Sequence, residues 1–254
     1  ASIHSIEFKN VSHEYLKGDP VLHDVSFTAQ RGMSIALVGA TGGGKSTIVS
    51  LLARWYEPTS GHILVNGIDY RERSLDWWQS QFGVVQQVPH LFSGTIFENV
   101  RYGRLDATED DVYEALDRVN ARQFVDDLEG GIQFDVGESG HKLSTGERQL
   151  ISLARAVISD PQMFIMDEAT SSVDTETEAN IQSAIDEVMN DRLSFVIAHR
   201  LSTIRNADLV MVVTDGQIAE CGTHEELLAL KGQYFTLYTA QYIQEEEDRV
   251  LGMP

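Results

Sequence analysis

The stretch Gly39-Ala40-Thr41-Gly42-Gly43-Gly44-Lys45-Ser46 constrains the fold more than any other part of the chain. The apolar run Ile35-Ala36-Leu37-Val38 precedes it and is short enough for a buried strand. The run from Ile48 to Ala53 follows it and reads as a helix. Strand, glycine-rich loop and helix in that order make the context a phosphate-binding loop requires. Glycines let the backbone curl so that successive N–H groups point at one anion. A helix opening near Lys45 adds its positive dipole end. Lys45 is placed to reach terminal phosphates and the Ser46 hydroxyl to bind a magnesium ion, with Thr47 extending the anion-binding run. A plain glycine-rich surface turn would share the glycines but not the Lys-Ser pair at this offset.

The remaining chain is long enough to bury a sizeable core around that loop, at 254 residues. Its net charge of −20 is spread along the sequence, and no basic stripe for a nucleic-acid backbone exists. No nucleic-acid partner is therefore expected. The cluster Glu245-Glu246-Glu247-Asp248 reads as a solvated helix face or tail. A single cysteine, Cys221, excludes an intramolecular disulfide and fits a reducing compartment. No apolar run approaches the ~20 residues of a membrane helix, and no signal-peptide pattern opens the chain. The chain as given is expected to be soluble and cytosolic, and it can still be a piece of something larger.

Along the chain, strands alternate with helices. Ile3 to Phe8 alternates apolar and polar, Lys17 to Pro20 is a turn, and Val21 to Phe27 is a second strand, with Tyr15 between the two. His62 to Val65 is a strand with a hairpin signal at Asn66-Gly67. Phe82 to Val85 is another, ending at Gln86-Gln87. From Thr108 the pattern turns helical, and Leu143-Ser144-Thr145-Gly146-Glu147 leads into a clear helix. Met163-Phe164-Ile165-Met166 is a buried strand running into Asp167-Glu168. Helix, strand, His199, a hairpin and two helices complete the chain. The pattern implies an α/β fold: a mostly parallel sheet with helices, opened by a small antiparallel β unit. Residues 88–160 carry almost no strand signal and read as a helical subdomain inserted into a core made of 1–87 and 161–254.

Hydrolysis of a nucleotide needs a metal anchor, a group that orients water, and a sensor of the terminal phosphate. Asp167, at the tip of an apolar strand, suits the anchor. Glu168, the adjacent carboxylate, suits polarising water.

The chain resembles, over essentially its whole length, the nucleotide-binding domain of an ATP-binding cassette (ABC) transporter, a P-loop ATPase. Leu143 to Glu147 matches that family's signature, usually Leu-Ser-Gly-Gly-Gln. The resemblance implies ATP and Mg2+ as cofactors. It further implies that Tyr15 stacks on adenine and that Gln87 is the Q-loop glutamine touching metal and water, with Gln86 the adjacent rival. Asp174, in Ser171-Ser172-Val173-Asp174, resembles the D-loop residue at a dimer interface, and His199 the switch histidine on the terminal phosphate. Two cassettes of this family associate head to tail, so Ser144, Thr145, Gly146 and Glu147 would meet ATP held by a partner.

The segment Leu91 to Ile96 with Glu98-Asn99-Val100, and the segment Val136-Gly137-Glu138-Ser139-Gly140, resemble exporters rather than importers. The resemblance then implies a transmembrane domain preceding the cassette and a place at the cytoplasmic face of a membrane. An importer ATPase, or a regulatory ATP-binding module with little turnover, is the alternative. Thr145 and Glu147 depart from the signature pattern, adding a Cβ and a negative charge beside a triphosphate. With Glu168 and His199 intact, this favours a heterodimer with a different cassette over a homodimer.

Overall fold

A computed structural model describes residues 2–167 and 175–251. Its centre is a six-stranded sheet in the order β10-β9-β3-β8-β7-β6. These strands are β3 (Ser34–Val38), β6 (Phe82–Val85), β7 (Met163–Asp167), β8 (Leu193–Ile197), β9 (Leu209–Thr214) and β10 (Gln217–Gly222). β3 pairs in parallel with β8 and β9, and β7 with β6 and β8. β10 returns antiparallel on β9.

The near-continuous apolar runs of β3, β7 and β8 fit strands covered on both faces. Alternation divides them between two cores. Ala36, Val38, Phe164, Met166 and Val196 face a helical layer. That layer contains α3 (Ile96–Arg101), α4 (Glu109–Arg118), α5 (Arg122–Asp127), α6 (Thr145–Val157) and α7 (Thr175–Met189). Ile35, Leu37, Met163, Ile165, Phe195 and Ile197 face the other way. They meet α1 (Lys45–Leu52) and a four-stranded antiparallel sheet, β2-β1-β4-β5. Its strands are β1 (Ser5–Leu16), β2 (Asp19–Gln30), β4 (Ser60–Val65) and β5 (Ile68–Asp69). α2 (Leu75–Gln79), α8 (Leu201–Asn206), α9 (His224–Leu230) and α10 (Gln233–Leu251) complete the chain.

The antiparallel opening expected from sequence is present, but β1 is longer than its alternation suggested. Tyr15 lies within β1, not between two strands. The cause is a bulge. The register of β1 slips between Phe8 and Val11 against β2, and Asn10 takes a left-handed φ of 49°. Buried positions are Ile6 and Phe8 before the slip, and Val11 and His13 after it. An extra residue reverses which parity faces inward. The bulge also dictates the residue opposite. A Cβ on Gly61 would stand 2.1 Å from the Asn10 carbonyl oxygen, and Gly61 itself has φ +83°.

Candidate active site

The C-terminal tips of four parallel strands, β3, β8, β7 and β6, lie side by side along one edge. In α/β sheets that edge is where ligands bind. In spatial order it carries the Gly39 loop, His199, Asp167 and Gln86-Gln87. Residues scattered over more than a hundred positions are gathered by topology alone.

The loop after β3 is glycine-rich for a reason visible in its packing. Gly39 has φ +137°, and a Cβ there would sit 2.2 Å from the Val213 carbonyl oxygen of β9. Gly44, at φ 111°, is the N-cap of α1. It offers no side-chain cap, and no acidic residue occupies the first turn. By contrast, α3, α4, α6 and α9 each close a capping box on their first turn. The opening turn of α1 therefore keeps donors and dipole for an outside anion.

Lys45 is 8% exposed, and its ammonium donates to the carbonyls of Gly39 (2.7 Å) and Ala40 (2.8 Å), bracing the loop. Burial pulls its pKa down, and the charge of Asp167 pulls it back up. Burial in turn raises the Asp167 carboxyl, while the charges of His199 and Lys45 lower it. The Asp167 carboxylate thus lies within reach of the charges of both Lys45 and His199. A carboxyl and an ammonium that perturb each other in this way mark a candidate functional site. The side chain of Gln241, on α10, donates to the His199 carbonyl. Gln87 follows β6 and is exposed, as is Gln86.

Tyr15 joins this cluster from the other sheet. Its hydroxyl donates to Thr47 Oγ1 on α1 at 3.1 Å. Glu168 and Asp174 lie outside the described residues.

The signature segment stands apart. Ser144 is the N-cap of α6, and its hydroxyl accepts from the Glu147 backbone N–H at 3.2 Å. The Glu147 carboxylate accepts from the Ser144 backbone N–H at 2.7 Å. Arg148 fixes the turn, donating to the Leu143 carbonyl (2.6 Å) and to Thr145 Oγ1 (3.0 Å). Ser144 and Glu147 border a groove of about 300 Å³ with Asn120, Gln123 and Asn180, and no phosphate-loop residue lines it.

Sequence reasoning missed His13 and Tyr56, whose rings flank Tyr15. It also missed Asn99 and Arg155. The buried Asn99 amide accepts from the Phe92 N–H and donates to the Phe92 carbonyl, and the Arg155 guanidinium donates to it. For His13 a signal existed: a polar ring two residues from Tyr15, on the same strand face.

The family model described as ABC transporter matches residues 22–171. The chain belongs to the ABC transporter family and is an ATP-binding domain of its ATPase class. It is 49% identical over 235 residues to the "Fatty acid ABC transporter ATP-binding/permease protein" of Mycobacterium tuberculosis, covering 92% of this chain and 37% of that protein. It is 47% identical over 240 residues to the "ATP-dependent lipid A-core flippase" of Methylobacillus flagellatus, covering 94% of this chain and 41% of that protein. Among solved structures, a bacterial Atm1-family ABC exporter with ATP bound matches with a TM-score of 0.87 at 38% identity. That match covers 94% of this chain and 42% of the exporter chain. The chain thus spans about two fifths of the length of these relatives. Among the described residues no helix is long and apolar enough to cross a membrane.

Proposed function

We propose that this chain binds ATP and hydrolyses it to power export by a larger transporter, at the cytoplasmic face of a membrane. One observation supports the reading: a single row of strand tips brings the Gly39 loop, His199 and Asp167 side by side next to an uncapped helix start, and Asp167 feels the charges of both His199 and Lys45. Tyr15 would stack on adenine. Gly39, Ala40, Thr41, Gly42, Gly43, Gly44 and Thr47 would wrap the phosphates, with Lys45 on the terminal ones.

Ser46, Asp167 and Gln87 offer a hydroxyl, a carboxylate and an amide oxygen. These hard oxygen donors fit Mg2+, which keeps several of its own waters. Bound there, the ion would offset charge on the phosphates. Asp167 ends β7, and Ser46 lies in the first turn of α1. Glu168 would hold the attacking water and accept its proton, while His199 would meet the terminal phosphate.

The second half of the site would come from another cassette. This chain's Ser144, Thr145, Gly146 and Glu147 would face the partner's ATP, with Asp174 at the interface. Exposed Val88, which follows Gln87, and the paired rings of Phe92 and Tyr102 would meet the transmembrane domain. The relatives' names, each joining ATP-binding to permease or flippase, support that arrangement. The helical segment 88–160 would then link membrane contact to signature. The charge of Glu147 supports a partner cassette different from this one.

The test is Glu168→Gln. ATP binding is expected to survive while most phosphate release is lost. Unchanged turnover would remove Glu168 from its role.

A further inference from the structure

Tyr15 is 45% exposed, and an exposed tyrosine on a strand end turns freely unless something holds it. Here two rings do. His13 lies 4.8 Å away at an interplanar angle of 88°, and Tyr56 lies 4.9 Å away at 86°. His13 and Tyr56 also touch, at 5.8 Å. Perpendicular ring pairs at this spacing are attractive beyond their buried area.

Each supporting ring is itself fixed. His13 is 5% exposed, and neither of its ring nitrogens has a hydrogen-bond partner. It meets Tyr15 as an aromatic wall. Tyr56 sits on the turn that ends α1. Arg54 takes a left-handed φ of 56° there and donates to Glu57 (2.9 Å) and to the Arg73 carbonyl (2.9 Å). The Trp55 N–H closes the turn on the Ser50 carbonyl at 2.9 Å. Tyr15's hydroxyl then ties its far end to Thr47.

We propose that His13 and Tyr56 are positioning residues that hold the Tyr15 ring ready as the platform for the nucleotide base, an inference that rests on the adenine-stacking reading of Tyr15. A ring already held in place loses less freedom when a base lands on it, so affinity is gained without a new contact to ligand. The gain belongs to the base alone. The phosphates would be gripped by the loop and Lys45, and of the three rings only Tyr15 reaches that segment, through Thr47.

The experiment measures binding of ATP and of inorganic tripolyphosphate, in Mg2+ buffer, to the chain and to four variants. Tyr56→Ala and His13→Ala are each expected to weaken ATP roughly 3- to 10-fold, the range such ring pairs are worth, and to leave tripolyphosphate unchanged. His13→Phe restores a ring of similar shape and is expected to restore ATP affinity. A merely structural role would weaken both ligands together and would not follow ring character. Should His13→Ala fail to fold, the exposed Tyr56→Ala still decides. ATP affinity unchanged in Tyr56→Ala, or an equal loss for both ligands, overturns the inference. Tyr15→Ala separates the two levels. If it lowers ATP selectively while the His13 and Tyr56 variants do nothing, only this inference fails. If it does nothing, the adenine-stacking reading fails as well.

Discussion

Burial holds the His13 imidazole below its ordinary pKa of 6.5, against the Glu57 backbone and the Glu14 carboxylate, which favour the charged ring. The Glu57 backbone comes near without completing a hydrogen bond. The consequence has a definite sign. Well above pH 6.5 the ring is neutral in both folded and unfolded chains and contributes no slope. As pH falls below 6.5, the unfolded chain takes up the proton first, and the folded state loses stability until the lower folded pKa is passed. His13→Phe removes that slope. Urea midpoints at pH 7.5 and pH 5.5 are expected to fall further for the wild type than for His13→Phe. The carboxylates act in both proteins alike, so their difference isolates this ring. Parallel losses would show that His13 titrates as freely in the fold as outside it.

At the scale of elements, the β1 bulge decides which way the Tyr15 ring faces. Were the bulge at Asn10 drawn out into a regular strand, Tyr15, seven positions from Phe8, would turn to the face opposite Phe8. Gly61 is its counterpart across β4, since any Cβ there would run into the Asn10 carbonyl. Gly61→Ala is expected to cost more than ~1 kcal/mol, because it adds that collision to an unfavourable φ. Thermal unfolding measures it, and an unchanged midpoint would mean the bulge relaxes freely. This feature was hidden in the sequence, where Ile6, Phe8, Val11 and His13 look like an ordinary strand with one irregular step. The bulge comes from a contact about fifty residues away, which no local pattern encodes. The phosphate loop was legible because its chemistry is local: strand, glycines, lysine and helix lie within twenty residues. The apolar strands β7 and β8 were legible for the same reason, and they carry Asp167 and His199 to the site. Asn99 and Arg155 were not. Their bond joins two helices 56 positions apart and becomes visible only when α3 packs on α6.

At the scale of the whole molecule, the Gly39 loop and the Leu143–Glu147 segment each open a helix, but the two starts are not equal. α1 has no side-chain cap, whereas α6 carries Glu147 against its own first N–H groups. That carboxylate favours its own helix through the dipole and the capping box. It also places a negative charge where a partner's terminal phosphate would approach, and like charges at short range repel. Glutamine at the same position keeps the capping box, since its amide oxygen can accept the same N–H, and removes the charge. Glu147→Gln is therefore a clean probe of whether this chain pairs with itself. In a Glu168→Gln background, which should preserve bound ATP, adding Glu147→Gln is expected to raise the ATP-dependent dimer fraction seen by sedimentation at matched concentration. The fold should be untouched, because the cap survives. If the chain with Glu147 in place already dimerises as fully, or hydrolyses ATP cooperatively by itself, the charge is no barrier and a partner of different sequence is not needed.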